Sequence, residues 1–427
     1  MPEIPQNALV LLVFCTVYLG MILGGLPWLK LDRSGVALLG AIALVGGGAL
    51  TVEEAARGIH LPTILLLFSF MVISAQMRLG GFYAAVTRSL DRLPGPPELL
   101  LALVIGVAAL LSAIFTNDIV CLAMAPVLVD TCWRRRVDPV PYLLALACAS
   151  NIGSAATLIG NPQNMLIGQV LQLPFGRYAL DALAPVLASL LLLWALLALP
   201  LWRARRGAPG DRAATPPAAA QDALHDATPF DAWQTAKGLA VSGALMLIFL
   251  FTGWRHDVAA LVGAGILLLS QRLGSSRVMG LVDWPLLVLF MGLFVVNHGL
   301  QESGLAARAL QALLAAGVDL HDAATLFAAT LGLSNLVSNV PAVMLLLPAV
   351  AEPDPQRAGT VLALVSTLSG NLLIVGSIAN IIVVDAARER GIVIDWWRHA
   401  RTGVPATVVS LAVVAAWLAL GIAGRAA

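Results

Sequence analysis

The chain has 427 residues, of which 59% are hydrophobic and 11% charged, and its net charge is +1. Soluble globular domains carry about 25% charged residues, so this composition excludes one. Apolar runs of about twenty residues recur, long enough to span a bilayer as helices, and they lack the apolar–polar alternation of outer-membrane strands. An all-α polytopic membrane protein is the expected class. There is no basic tract or nucleic-acid motif, and no HExxH, GxSxG or paired-acid motif that would support an enzyme.

In chain order, the first apolar run covers 8–28. No positive n-region precedes it and no small-residue cleavage site follows, so it reads as a retained span rather than a signal peptide. Spans over 34–50 and 61–77 come next, then an amphipathic piece over 82–93 that ends at Pro94-Gly95-Pro96-Pro97. The stretch 98–131 is apolar except at Thr116-Asn117-Asp118. An ionisable side chain in hydrocarbon costs roughly 2.5–3.5 kcal/mol, so Asp118 marks an ion or substrate path. Beyond Arg134-Arg135-Arg136, a long run over 142–171 is interrupted by Ser150, Asn151, Gly153, Thr157, Gly160 and Asn161, with Pro162 behind them. Such a break suits an unwound segment lining a cavity; its small residues equally allow close helix packing. A fifth span covers 181–202. Residues 203–236, rich in Pro, Ala and Gly, predict a disordered linker.

The second half repeats the plan. A shift of 222 residues places Ser112 on Ser334, Thr116 on Ser338, Asn117 on Asn339 and Pro126 on Pro348, while Asp118 falls on Val340. A shift of 223 matches Pro62 with Pro285 and Gly81 with Gly304. Trp28 and Arg33 to Val36 resemble Trp254 to Val258. The interrupted run matches 361–385, with Gly370-Asn371 and Gly376-Ser377 to Asn380 as the counterpart break; Asn151 falls near Asn371, and Asn161 near Asn380 after one gap. The expected organisation is a first repeat over 1–202, the linker 203–236, and a second repeat over 237–427.

Charge orients these repeats, because basic residues favour the cytoplasmic side. If 98–131 and 323–350 are re-entrant hairpins, each half crosses the membrane five times, and the odd count inverts the second half. With the N-terminus outside, only Arg57, Arg177, Arg255, Arg308, Arg357 and Arg425 of the 25 Lys and Arg residues then fall outside. Counting either stretch as two full crossings keeps that balance and counting it as one spoils it, so charge supports an even passage and the central polar breaks favour the re-entrant version. The expected protein is therefore multi-pass in the inner cell membrane, with a cytoplasmic linker and both termini outside.

Inverted repeats with broken helices at the bilayer midplane are the recurring build of secondary transporters. The hairpin tips offer hydroxyl and amide oxygens. Free helix ends offer carbonyls to a cation and N–H groups to an anion. A buried Asp118 is a candidate proton carrier, and beside a bound cation it stays ionised; Na+ could sit at Asn117, Asp118 and Asn151. The bland alternative for each Asn is a helix–helix hydrogen bond. Cys15, Cys121, Cys132 and Cys148 form no CxxC pair. They read as small buried hydrophobes, with a thiol site for trivalent arsenic as the alternative. His298, beside Asn297, reads as an interfacial polar residue or a proton relay. His60, His225, His256, His321 and His399 fall in loops or at span ends with no specific role expected. Trp28, Trp202, Trp254, Trp396 and Trp397 read as an interfacial belt.

At these residues the chain resembles the ion transporter superfamily, which takes in arsenite permeases, NhaD-type sodium–proton antiporters, citrate transporter-like proteins and divalent anion–sodium symporters. Phe115-Thr116-Asn117-Asp118 with Pro126 is similar to the arsenite-permease form of the first hairpin. Ser150 to Gly153 with Thr157 to Asn164 is similar to the unwound segment found across the group. Ser338 to Pro341 and Gly370 to Asn380 match the second-half forms. The resemblance covers nearly the whole chain outside the linker. It implies a scaffold and a transport domain in each half, commonly a homodimer, and a site lined by Asn117, Asn339, Asn151 and Asn380 with nearby Ser, Thr and Gly. The sodium-coupled dicarboxylate branch has Ser-Asn-Thr at both tips. Here the tips are Thr116-Asn117-Asp118 and Ser338-Asn339-Val340, which leans towards the arsenite-permease and NhaD-type branch.

The expected function is secondary active transport of a small anion or oxyanion, arsenite-like or carboxylate, by alternating access and with proton coupling. Sodium–proton antiport is the alternative, and a passive channel the second. The coupling ion would be H+ or Na+, with no other cofactor. A separate ATPase subunit is compatible with the sequence.

Overall fold

The computed structural model describes residues 6–26, 29–207, 229–270, 272–350 and 354–421. The first half runs α1 (Gln6–Leu23), α2 (Arg33–Gly46), α3 (Val52–Gly58), α4 (Leu61–Leu79), α5 (Phe82–Asp91), α6 (Pro97–Ile114), α7 (Asn117–Arg134), α8 (Pro139–Ser154), α9 (Pro162–Val170) and α10 (Phe175–Gly207). The second runs α11 (Ala232–Phe251), α12 (His256–Leu268), α13 (Ser275–Met279), α14 (Trp284–Glu302), α15 (Leu305–Ala315), α16 (Ala323–Val337), α17 (Asn339–Leu346), α18 (Pro355–Ser369), α19 (Ile378–Glu389) and α20 (Trp396–Ala419). Among the described residues, seven helices are long and apolar enough to cross a membrane: α1, α4, α6, α10, α11, α14 and α20. The chain is a helical, multi-pass integral membrane protein. The one sheet described is a two-residue pairing of β1 (Gly25–Leu26) with β2 (Leu31–Asp32).

The order of elements is the same in both halves, helix for helix, and the matching residues occupy matching backbone positions. Pro62 and Pro285 each sit in the first turn of α4 and α14, where a missing N–H costs nothing. Gly81 and Gly304 lead into α5 and α15 at φ +70° and +71°, a left-handed conformation that glycine adopts without penalty.

Packing follows an exchange pattern. α2 of the first half lies on α14 of the second, α12 lies on α4, and α10 lies on α20. The α2–α14 approach is close enough that a Cβ on Gly292 would stand 2.6 Å from the Ala37 carbonyl carbon. α8 is buried along its whole length, which places the helix that ends at the first break in the middle of the bundle. Leu11, Leu12 and Leu19 on α1, and Leu187 and Leu191 on α10, are exposed. An apolar belt of this kind needs lipid as its solvent.

Two boundaries differ from the sequence expectation. The first span ends at Leu23 rather than near residue 28, because Gly24 and Gly25 take φ of +79° and +149° and turn the chain into β1. α10 continues to Gly207, and α11 begins at Ala232 behind the Asp231 cap, so regular structure reaches into both ends of 203–236. The aperiodic remainder, 208–228, lies outside the described residues.

Candidate functional site

Each hairpin turns on one or two residues. α6 stops at Ile114 and α7 starts at Asn117, which leaves Phe115 and Thr116 as the first tip. Phe115 anchors it, buried edge-on against Tyr83 at 5.7 Å. In the second half α16 stops at Val337 and α17 starts at Asn339, so Ser338 alone makes the turn, at φ +77° and ψ +161°. That region is essentially reserved for glycine, and holding a serine there costs of order 1–3 kcal/mol. The breaks follow: 155–161 separates α8 from α9, and 370–377, with a 3-10 turn at Ile374–Gly376, separates α18 from α19.

Asn151, near the end of α8, joins these pieces. Its Oδ1 accepts from Asn117 Nδ2 at 3.0 Å and from Ser377 Oγ at 2.9 Å. Its Nδ2 donates to Asn371 Oδ1 at 2.8 Å and to Asn380 Oδ1 at 3.2 Å. All four hydrogen-bonding positions of the amide are thereby used. One side chain of the first half thus ties its own hairpin tip to both ends of the second half's break.

Around this hub some capacity stays open. Asn117 Oδ1, Asn339 Oδ1 and Asn371 Nδ2 are buried without a hydrogen-bond partner. A buried polar group left unmatched costs about 1–3 kcal/mol, so two acceptors and one donor are held at a stability cost. Asp118 lies in the first turn of α7, half-buried, with no hydrogen bond or ion pair among the described residues. It is within electrostatic range of the Asp283 carboxylate at the N-cap of α14.

The remaining predicted site residues hold the breaks in shape. Asn161 Oδ1 caps α9 by accepting from Asn164 N at 2.9 Å, and its Nδ2 donates to Ser154 Oγ at 2.9 Å. Asn380 Nδ2 donates to the Gly370 and Leu373 carbonyls at 2.9 and 3.0 Å, bridging the second break. The Thr157 hydroxyl is spent on Ala113 O at 2.6 Å. A Cβ on Gly153 would stand 2.3 Å from Ala109 Cα, and one on Gly160 2.3 Å from Ser154 O, so both permit close backbone approach. Gly160 O accepts from Asn117 N at 3.1 Å, fastening the first tip to the first break. A Cβ on Gly376 would stand 2.9 Å from Gly370 O.

Several contributors were not among the residues the sequence singled out for the site. Thr367 accepts from Asn161 Nδ2 at 3.3 Å and Gln163 Nε2 at 3.2 Å, across the halves. Ser112 and Ser150 are 2.9 Å apart beneath the first tip. His399 lies at a span end as expected, in the first turn of α20, but it is not idle there. It is buried inside α20, with Nε2 3.0 Å from Asn371 O. A separation of 28 positions along the chain hid the pairing. His298 packs on Gly58, with Nε2 4.0 Å from Glu302 Oε1, and His60 Nδ1 is 2.8 Å from Thr63 Oγ1. Trp28 and His225 lie outside the described residues. Cys121, Cys132 and Cys148 are buried and Cys15 exposed. Among the described residues, no group of three His, Cys, Asp or Glu side chains could hold a metal ion.

Membrane-length helices surrounding two broken helices that meet at an asparagine hub are the build of a multi-pass membrane transporter. The chain belongs to the citrate transporter family, whose model matches residues 9–369. An uncharacterized transporter of Mycobacterium tuberculosis is 29% identical over 413 residues, 91% of this chain and 94% of the relative. A silicon efflux transporter of rice, Oryza sativa subsp. japonica, is 28% identical over 481 aligned residues, 96% of this chain and 97% of the relative. The crystal structure of the YdaH transporter of Alcanivorax borkumensis, described as having an unusual topology, shares the fold with a TM-score of 0.55, at 13% identity and 98% coverage of both chains.

Proposed function

We propose that this transporter moves a small anion or oxyanion, arsenite-like or carboxylate, across the inner membrane by alternating access, with Asp118 carrying a coupling proton. The observation behind this reading is the hub. Asn151 binds the first tip to the second break, while unmatched polar atoms of Asn117, Asn339 and Asn371 remain buried around it. An oxyanion that carries hydroxyl groups offers both donors and acceptors to such a set. The rice relative, named for silicon efflux, supports a small oxygen-rich substrate. In this reading the two halves are inverted repeats, the two hairpins are re-entrant, the linker faces the cytoplasm and the working unit is a homodimer.

Sodium–proton antiport is the second reading. Asn117 Oδ1 and the Asp118 carboxylate are free acceptors that could ligate Na+. Asn151 Oδ1 already accepts two hydrogen bonds, so the ligand set drawn from sequence fits only in part.

Proton flux in everted vesicles, followed with a pH-sensitive dye, separates the two. Sodium salts, then arsenite, antimonite and small carboxylates, are added to wild type and to Asp118→Asn. Flux set off by an anion and lost in Asp118→Asn supports the proposal. Flux set off by sodium alone replaces it with the antiporter, and full activity in Asp118→Asn removes that residue from coupling.

A further inference from the structure

A cavity of about 410 Å3 opens beside the second hairpin tip, and its lining includes Arg33, Ser34, Asp32, Asp283, Ser338 and Ile378. Arg33 opens α2 and is half-buried. Among the described residues its guanidinium has no hydrogen-bond or ion-pair partner, and Nε is fully shielded from solvent. An arginine fork carries five donors and a permanent charge, and it is suited to bidentate capture of carboxylates and other oxyanions.

The repeat offers an internal control. At the shift of 222 residues Arg33 corresponds to Arg255, which opens onto a separate cavity of about 650 Å3. There Asp257, two residues on, takes the guanidinium at 2.8 and 3.2 Å. The residue two after Arg33 is Gly35. One arginine is neutralised within its own helix; the other is left available.

Helix ends at the cavity add positive potential beside the guanidinium. Four helix N-termini meet this cavity: α2 at Arg33, α14 at Asp283, α17 at Ser338 and α19 at Ile378. Those of α17 and α19 have no side-chain cap, and each N-terminus carries the equivalent of roughly half a positive charge. The two carboxylates, Asp32 and Asp283, are exposed. Each is bound to a helix end, Asp32 to Gly35 N at 2.8 Å and Asp283 to Leu286 N at 3.0 Å. The cation in the lining is the guanidinium, whose Nε is shielded from solvent.

We infer that this cavity is an anion vestibule in which Arg33 captures a small oxyanion through two of its oxygens before it reaches the Ser338–Asn339 tip. The inference deepens the anion reading and rests on it for the identity of the cargo. Its test is charge-selective labelling, which needs no transport.

In a background with the four cysteines replaced, Ser34→Cys is modified with an anionic reagent, methanethiosulfonate ethylsulfonate, and a cationic one, methanethiosulfonate ethyltrimethylammonium. The ratio of anionic to cationic rates should fall at least fivefold in Arg33→Gln and be largely kept in Arg33→Lys. Citrate should slow labelling in the parent and not in Arg33→Gln. An unchanged ratio in Arg33→Gln overturns the vestibule. If Arg33→Gln does not assemble, Gly35→Asp keeps the side chain and supplies the carboxylate that Arg255 has; it should give the same fivefold fall, and an unchanged ratio there also overturns the inference. Anion flux in the parent with an unchanged ratio sinks the vestibule alone. No anion flux, together with a ratio that collapses in Arg33→Gln, sinks the transport reading alone.

Discussion

The two hairpin tips occupy the same place in the repeat and are built in opposite ways. The first is closed by bonds: Asn117 N is held by Gly160 O, Asn117 Nδ2 by Asn151, and Phe115 by Tyr83. The second turns on a single serine at positive φ, and no hydrogen bond of the Asn339 side chain is found among the described residues. The arginines run the other way: Arg255 of the second half is paired, and Arg33 of the first has no partner among the described residues. Symmetry of sequence therefore does not bring symmetry of satisfaction. The first half supplies the hub and the bonded tip, the second supplies a strained turn, and open valences remain in both.

The hardest test of this contrast is Asn151→Ala. It strands partner atoms on Asn117, Asn371, Asn380 and Ser377 at about 1–3 kcal/mol each. Transport should fall by roughly a hundredfold or more, and the unfolding midpoint in detergent should drop with it. Retained flux would mean that the hub is not part of the mechanism.

Next comes the pair Asn117→Ala and Asn339→Ala. Both should reduce flux in a counterflow assay by about tenfold if each presents an oxygen to the cargo, a loss near 1.4 kcal/mol. Only Asn117→Ala should also lower the unfolding midpoint, because only Asn117 gives up a side-chain hydrogen bond to the protein, worth roughly 1 kcal/mol. Equal destabilisation by the two would erase the difference between the tips.

A smaller effect is expected from Gly35→Asp, which gives Arg33 the carboxylate that Asp257 gives Arg255. The KM for the transported anion should rise about fivefold, or about 1 kcal/mol, with Vmax little changed. A fall in Vmax alone would contradict a role in capture.

Smallest, and opposite in sign at the two tips, are the glycine substitutions. Ser338→Gly should stabilise by roughly 1 kcal/mol because it relieves the positive φ. Thr116→Gly, from φ −66°, should destabilise by about the same amount through lost chain stiffness. Shifts of the same sign would remove the strain argument.

What the sequence determined by itself is what local chemistry and spacing dictate. Apolar runs of bilayer length can only be satisfied as helices, so the class was legible. The repeat was legible from Pro62 and Pro285, Gly81 and Gly304, and Asn117 and Asn339, because proline, glycine and buried amides are tied to backbone positions that hydrophobic residues are not. Both breaks could be placed for the same reason. Tertiary structure alone decided which of these groups are used up and which are free. Asn151 and Asn371 are 220 residues apart and bond at 2.8 Å, and Gly153 serves helix packing because Ala109 happens to lie against it. His399 became a partner of Asn371, and Arg33 a cation with no partner among the described residues rather than one more basic residue in a loop. Hydrogen-bond satisfaction is a property of neighbours in space, and only the packed chain brings those neighbours together.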